Sequence, residues 1–406
     1  MINERKTVWE ILKRVFEEHG YASLIMRNMK DIPVEKRGFI TECVYGTIRN
    51  YALLEYQWRS YSSHVKTGTA LLLDMACYEM FFMNSPSYAV VNEIVSLAKK
   101  QEKGFVNAML HKVVKNGLQE SDDPSIQYSH PAWMIRMWNA QYGKDKTLEI
   151  LKNDQIRPEA MGRVNTLISS KEEIEKLDGI HFINDLSFTS DKPLQRTSLF
   201  QDGSILIQNP GSVEIVNTLE VQPGMKVLDV CAAPGTKTQL MAMYMHNEGD
   251  ITACDLYEQR VRLIDELMER THVSVVHTKV QDALKAHAFE RESFERILCD
   301  VPCSGLGDLS HKPEIRWHLK PENIDELVKT QKEILENASE YLKVNGILVY
   351  STCTLNTKEN EKQTAAFLKK HPEYELLNEK TIFPLDGIYD GFYMVSLRKN
   401  QSCMVE

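Results

Sequence analysis

Several things are missing from this 406-residue chain. Purely apolar runs are as short as Leu71 to Leu73, where a bilayer span needs roughly 20 residues. The first residues, Met-Ile-Asn-Glu-Arg-Lys, turn amphipathic without a signal-peptide core; together these features lead us to expect a cytoplasmic protein with no membrane partner. None of the eight cysteines forms a Cys-x-x-Cys pair, so neither a structural zinc site nor any other metal is expected. Low-complexity tracts and 20–50-residue repeats are missing too, which excludes a solenoid. Positive charge is in deficit: 48 lysines and arginines face 57 acidic residues, for a net charge of −9. That argues against broad nonspecific nucleic-acid binding. The two signs nearly balance in residues 1–125, however, so the excess negative charge lies in the remainder and a local basic face stays open.

What is present is enough apolar material for several cores: 43% hydrophobic and 26% charged residues exclude disorder. Residues 1–125 read as helices. Val8, Ile11, Leu12, Val15 and Phe16 keep helical spacing, and so do Val91, Ile94, Val95 and Ala98, then Val106, Met109, Leu110, Val113 and Val114. A Ser/Asp/Pro cluster at 119–124 ends the bundle. Residues 126–156 read as a helical linker. Residues 157–210 read as a small α+β piece, with strands at 161–168, 181–186 and 203–207 and a capping box opening at Ser170. From 211 to 406 strands and helices alternate. Short Val/Ile/Leu-rich runs at 226–230, 250–255, 274–278, 296–301 and 346–352 predict a parallel sheet covered on both faces. The clearest helix, 321–342, has Pro at its start and Asn-Gly past its end.

Such sheets bind ligands at the carboxyl ends of their strands. The first strand runs into Asp229-Val-Cys-Ala-Ala-Pro-Gly-Thr-Lys-Thr238, a loop of small residues before a helix. It is neither a phosphate-binding Gly-x4-Gly-Lys-Thr loop nor a Gly-x-Gly-x-x-Gly fingerprint, so triphosphate and dinucleotide readings lose their main support. Asp255, at the second strand end, can accept hydrogen bonds from the ribose of any adenosyl ligand; it can equally cap the next helix. Asp282, after the third, can take an adenine amine or sit in a solvated loop. The fourth strand ends Cys299-Asp300-Val-Pro-Cys303 and the fifth Tyr350-Ser-Thr-Cys353. Two thiols and a carboxyl group at one sheet edge suit methylation of cytosine at C5. A thiolate adding to C6 makes C5 nucleophilic, and an acid at N3 neutralises the developing charge. Which thiol attacks stays open on these grounds.

The stretches CAAPGTKT (231–238), CDLYEQR (254–260), CDVPCSGLG (299–307), KPEIRW (312–317) and YSTCT (350–354) resemble the RsmB/Sun/Nop-type RNA cytosine-5 methyltransferases. In the front half, VYGTIRN (44–50), YAVVNEIVSLAKK (88–100) and GFVNAMLHKVV (104–114) resemble the NusB-like domain fused in front of the bacterial RsmB branch. SHPAWMIRMW (129–138) and GRVNTL (162–167) resemble its linker and small N1 subdomain. The resemblance implies a multidomain chain: an all-α NusB-like RNA-binding domain at 1–125, a small α+β subdomain, and an α/β Rossmann-like class I methyltransferase domain. It implies S-adenosyl-L-methionine held by Cys231, Ala232, Ala233, Pro234, Gly235, Thr236, Lys237, Asp255, Arg260, Asp282 and Asp300. It makes Cys353 the nucleophile and gives Cys303 a role in product release, with Lys237 and Asp300 beside the base. The implied partner is small-subunit ribosomal RNA before assembly, one cytidine of which is methylated by a monomer.

Arg163, Asn165, Lys312 and Arg316 are the expected RNA contacts, with Lys112 and Lys115 on the helical domain; Trp317 reads as core rather than as a platform for a flipped base. There are departures from the family pattern. Thr236 stands where a second glycine is usual and costs about 1 kcal/mol or more if that backbone needs positive φ. Asn209 stands where Asp is common, and Gln281 where Gly is usual. Ser310-His311 replaces a basic pair, and each lost phosphate contact lowers the salt slope of RNA binding by about one. Two other readings remain at this point: a non-catalytic ribosome-assembly factor whose methyltransferase domain has degraded, and a nicotinamide-dependent oxidoreductase that lacks its glycine fingerprint.

Overall fold

The structure, a computed structural model, describes residues 3–27, 32–62, 64–385 and 387–401; Cys403 lies outside them. The chain divides into two units. One comprises Met1–Arg157 together with Leu309–Leu319, the other Pro158–Asp308 and Lys320–Glu406.

The first unit is helical. Its leading helix, Glu4–Glu18, buries Val8, Ile11, Leu12 and Val15, and Asn3 caps it by accepting from the Lys6 amide. Helix Thr67–Phe81 is buried on nearly every side, which is why its sequence is apolar all round. Its two buried carboxylates are each partnered. Asp74 accepts from Trp58 Nε1 at 2.7 Å, and Glu79 receives the Arg5 guanidinium at 2.7–3.1 Å. Unpaired, either would cost several kcal/mol. The 126–156 stretch forms helices Pro124–Gln127, Ala132–Tyr142 and Lys144–Asn153, which belong to this unit.

The chain leaves the second unit at Asp308, runs through the helical unit as Leu309–Leu319, and returns at Lys320. The sequence places this short segment inside the methyltransferase domain, 211–406, whereas the structure groups it with the helices. It is bound by polar contacts. Arg316 donates to the carbonyls of Arg49 (3.1 Å), Ser129 (3.4 Å) and Asp154 (2.7 Å). Arg49 donates to the Ser310 carbonyl at 2.9 Å. Trp317 Nε1 donates to the Ile48 carbonyl at 3.1 Å, and its ring meets Tyr51 edge-on. Glu314 accepts the Ala22 amide at 3.0 Å.

The second unit holds two sheets. β1 (Ala160–Val164), β2 (Ile180–Phe182), β3 (Ser187–Ser190) and β4 (Ile205–Leu206) form a small antiparallel sheet in the order β2-β3-β1-β4. The single strand expected at 181–186 is instead two short strands turning through Asn184, whose side chain accepts the Leu186 and Ser187 amides. β5 (Lys226–Asp229), β6 (Asp250–Asp255), β7 (Val276–Val280), β8 (Phe294–Asp300) and β9 (Leu342–Thr352) are parallel neighbours in a seven-stranded sheet. β10 (Tyr374–Ile382) and β11 (Phe392–Lys399) join antiparallel, giving the order β10-β11-β9-β8-β5-β6-β7. Strand order reverses between β5 and β8, the point at which such sheets bind ligands.

One close approach in the helical unit is testable. A Cβ at Gly46 would lie 1.8 Å from the Tyr78 ring, whose hydroxyl donates to Glu42 at 2.7 Å. Gly46→Ala is expected to destabilise the protein by about 1–3 kcal/mol in urea unfolding; an unchanged midpoint would mean the helices can part without cost.

Candidate functional site at the carboxyl ends of the parallel strands

β5 delivers the small-residue loop 230–235 to the switch point. Gly235 has φ +102°, a conformation that an L side chain would strain, and the helix Thr236–Tyr244 starts immediately after it. Thr236 itself is not among the residues with positive φ. The expected penalty for threonine therefore does not arise, because the turn is made one residue earlier. The first amides of this helix lack intrahelical partners. Beside the loop, the buried Asp255 accepts the Ala233 amide at 3.3 Å. Arg260 joins the same group, 3.4 Å from the Asp255 carboxylate and 3.2 Å from the Ala233 carbonyl. Asp282 uses one oxygen in a local turn, accepting the Leu284 amide at 3.0 Å. Gln281 donates its backbone N–H to the Asp255 carbonyl at 2.9 Å, so its side chain does not disturb that link. An apolar cleft lined by Val230, Cys254, Gln281, Ala283, Ile334 and Tyr341 lies in the same region.

Toward β8 and β9 the site turns polar. Lys237 Nζ is 2.7 Å from Asp300 Oδ2, and the Ser351 hydroxyl donates to Asp300 Oδ1 at 2.8 Å. Burial pulls the Lys237 ammonium down, but the charge and hydrogen bond of Asp300, helped by Cys353, outweigh it and hold the group above an ordinary lysine. Cys303 and Cys353 bring their sulfurs to 3.3 Å, and both are half-buried. The hydrogen bond with Cys353, then burial, push the Cys303 thiol well above the usual range. Cys303 thus keeps its proton, and Cys353 lies in the field of the Lys237 ammonium. Cys43, Cys77, Cys254 and Cys299 are buried, and Cys231 is half-buried.

The structure therefore groups Cys231–Lys237, Asp255, Arg260, Asp282, Asp300, Cys303 and Cys353 at one edge of a single sheet. It does not do the same for the expected RNA contacts. Arg163 is fully buried, donating to Gln208 Oε1 at 2.6 Å, to the Val164 carbonyl at 3.2 Å and to Gln239. Burial lowers its pKa to about 9, so it is still charged at neutral pH. Asn165 is buried too, accepting from Gln239 Nε2 at 3.0 Å and donating to the Gly203 carbonyl at 3.0 Å. Arg316 is the buried anchor of the 309–319 segment. These three residues hold backbone and side chains together and cannot reach a phosphate as placed. Ser310 is buried as well, so no phosphate contact is lost at that position. Lys112, Lys115 and Lys312 are exposed. Asn209 accepts the Gly211 amide at 2.9 Å as a helix cap and donates to Asp390 at 2.7 Å, a role that needs no charge.

Asp229, at the end of β5, does more than start the loop. It is buried, accepts from the Thr238 hydroxyl at 2.7 Å, and has no hydrogen-bond partner on Oδ1. Burial lifts its pKa to about 7, opposed by the Thr238 bond and helped by Asp300. The folded chain then holds a proton between about pH 4 and 7 that the unfolded chain has released. Its contribution to stability is present at acid pH and lost as pH rises through 7. Asp229→Asn is expected to flatten the fall in urea stability of the ligand-free protein from pH 5 to 8, a slope bounded by about 1.4 kcal/mol per pH unit. An unaltered slope would show that Asp229 ionises like a free carboxylate.

The chain is similar along its length to known proteins. A family model described as 16S rRNA methyltransferase RsmB/F matches residues 216–396, a NusB family model matches 2–115, and an RsmF/B-like ferredoxin-like domain model matches 130–178. The chain is 32% identical to a probable ribosomal RNA small subunit methyltransferase B of Bacillus subtilis, over 97% of this chain and 98% of that one. It is 28% identical to ribosomal RNA small subunit methyltransferase B of Yersinia pseudotuberculosis, over 98% and 99%. Among solved structures, PH0851 superposes with a TM-score of 0.82 at 23% identity, covering 98% and 99% of the two chains, a likeness of fold. A methyltransferase homolog from Pyrococcus horikoshii gives a TM-score of 0.60 at 27% identity, over 68% of this chain and 98% of that one. NSun6 from the same organism, solved with the S-adenosylmethionine analogue SFG, gives 0.62 at 20% identity, over 67% and 99%. With a 32%-identical relative matched along nearly its whole length, the chain belongs to the ribosomal RNA small subunit methyltransferase B family, a family of S-adenosylmethionine-dependent RNA methyltransferases.

Proposed function

We propose that the protein methylates C5 of a cytidine in small-subunit ribosomal RNA, through a covalent bond between Cys353 and C6 of the base. The observation that carries this reading is the 3.3 Å approach of the Cys303 and Cys353 sulfurs beside the Lys237–Asp300 pair. The residues present fit the methyl donor. The loop of small residues and the positive-φ Gly235 leave room for a ligand, and the buried Asp229 Oδ1, without a hydrogen-bond partner, offers it an unsatisfied polar atom. Asp255 and Arg260 would hold its ribose side, Asp282 and the apolar cleft its adenine, and the loop 231–237 its amino-acid end. When bound, S-adenosylmethionine supplies an electrophilic methyl group.

The chain's own residues do the rest. Cys353 is the thiolate, stabilised by the Cys303 thiol proton and the Lys237 ammonium. It adds to C6, and the electron pair of the C5–C6 double bond becomes available at C5. The Lys237–Asp300 pair holds the proton that N3 takes up, so no free negative charge builds on the ring. After C5 is methylated its proton leaves to a water molecule, the C6–sulfur bond breaks to restore the C5–C6 double bond and the Cys353 thiolate, and N3 returns its proton to the Lys237–Asp300 pair. Cys303, held in its protonated form against Cys353, serves this release. RNA enters as a loop or before ribosome assembly, because unpaired cytidines flip out at little cost. Exposed Lys112, Lys115 and Lys312 are the candidate phosphate contacts, the helical unit acting as an added RNA clamp around a monomeric enzyme.

The two thiols make opposite predictions. Cys353→Ala is expected to abolish methylation of a small-subunit RNA transcript and leave no protein–RNA adduct on a denaturing gel. Cys303→Ala is expected to accumulate that adduct in the presence of S-adenosylmethionine. The reverse pattern would exchange the two roles. Failure of the unaltered protein to bind the donor in calorimetry would favour a non-catalytic assembly factor.

A further inference from the structure

Next to the two sulfurs lies a buried polar chain that the reaction above does not use. Glu359 is fully buried. Its Oε1 accepts the Ser304 amide at 3.0 Å, and its Oε2 accepts the Ser304 hydroxyl at 2.5 Å. The Ser304 oxygen lies 2.7 Å from the Thr354 oxygen, and the Leu306 amide donates to Thr354 Oγ1 at 3.2 Å. Gln331 Nε2 and Asn356 Nδ2 each reach the carboxylate at 3.4 Å. A hydroxyl carries one proton. Since Ser304 gives its proton to Glu359, Thr354 must give its own to Ser304. The chain therefore runs one way, from the Leu306 amide through Thr354 and Ser304 to an acceptor-only carboxylate.

Ser304 and Thr354 are the residues that directly follow Cys303 and Cys353. Gln331 also donates to the Pro302 carbonyl at 2.9 Å, so Cys303 is gripped on both sides. The Tyr350 hydroxyl donates to the Glu359 carbonyl at 2.6 Å, which ties the carboxylate-bearing loop back to β9. Burial raises the Glu359 pKa, while the bonds from Ser304, Gln331 and Asn356 pull it back. Burying a charged group is costly, and well-packed apolar side chains can often take the place of such groups without loss of stability. Its geometric effect is specific: it joins the backbones carrying the two thiols through a chain of fixed direction.

We propose that Glu359 is a positioning residue for this site: through the hydroxyls of Ser304 and Thr354 its carboxylate keeps Cys303 against Cys353, so that the adduct with RNA can be resolved. This rests on the function proposed above. An amide at 359 cannot accept from both the amide and the hydroxyl of Ser304 with its two terminal atoms, so the direction of the chain is lost.

The test uses the full-length protein, a small-subunit RNA transcript and radiolabelled S-adenosylmethionine. Glu359→Gln is expected to lower kcat at least tenfold, with KM for RNA and donor affinity within twofold, and to accumulate the protein–RNA adduct although Cys303 is present. Thr354→Val should reproduce both effects, and Thr354→Ser, which keeps the hydroxyl, should reverse them. A rate within twofold of the unaltered protein overturns the proposal; so does a slower enzyme without the adduct. A second readout needs no RNA. The thiol oxidant diamide, itself reduced to the hydrazine, should join Cys303 and Cys353 as a disulfide, and Glu359→Gln should slow this at least tenfold by peptide mass spectrometry. Equal oxidation rates also overturn the proposal. If the unaltered protein yields no 5-methylcytidine, the functional reading fails, and the oxidation rates still decide whether Glu359 sets the spacing of the sulfurs.

Discussion

The site depends on the register of two parallel strands. β8 and β9 pair so that Cys299 lies opposite Tyr350 and Asp300 opposite Ser351. One more ladder bond, from the Val301 amide to the Ser351 carbonyl at 3.1 Å, continues the pairing past the strand ends. Cys303 and Cys353 come next on the two chains, and the Gly307 amide closes the gap by donating to the Cys353 carbonyl at 3.0 Å. A slip of one residue would turn every side chain to the opposite face of the sheet, taking Asp300 from Ser351 and one sulfur from the other. Register in a sheet buried on both faces is strongly specified, and residues such as Ile297, Leu298, Leu348 and Val349, all buried, specify it here.

Around that ladder the charges hold an ammonium beside the two sulfurs. A lone buried lysine would be driven neutral; Lys237 keeps its proton because Asp300 stands 2.7 Å away. The Ser351 hydroxyl fixes the other oxygen of Asp300, so the carboxylate cannot swing away. Asp229 shares this field from below and carries the opposite outcome, a carboxyl that holds its proton to about pH 7.

Much of this was legible from the residues. Alternating Val/Ile/Leu runs and small-residue loops mark β5, β6, β8 and β9, since buried parallel strands must be apolar on both faces. The spacing of Asp300, Cys303 and Cys353 pointed to the ends of two neighbouring strands, where the structure brings the two sulfurs to 3.3 Å. β10 escaped notice because it is an edge strand whose Glu375, Glu379 and Lys380 break the apolar pattern, as edges commonly do. Arg163, Asn165 and Arg316 were misread for one reason: a charged or amide side chain reads as surface unless its partners are known. Those partners are far along the chain, Gln239 for the first two and Arg49, Ser129 and Asp154 for the third. Glu359 hides in the stretch Asn356-Thr-Lys-Glu-Asn-Glu, which looks like a solvated loop until Ser304 and Thr354 are brought beside it.

The excursion of residues 309–319 into the helical unit bears on how this architecture can be divided. A cut after Arg157 separates two stretches of sequence but not two self-sufficient modules. The helical fragment would lose a guanidinium that satisfies three backbone carbonyls, leaving buried acceptors unpaired. The other fragment would carry an eleven-residue strand of chain stripped of its socket. Shuffling either half onto a foreign partner therefore requires transplanting the inserted peptide with the helices that receive it.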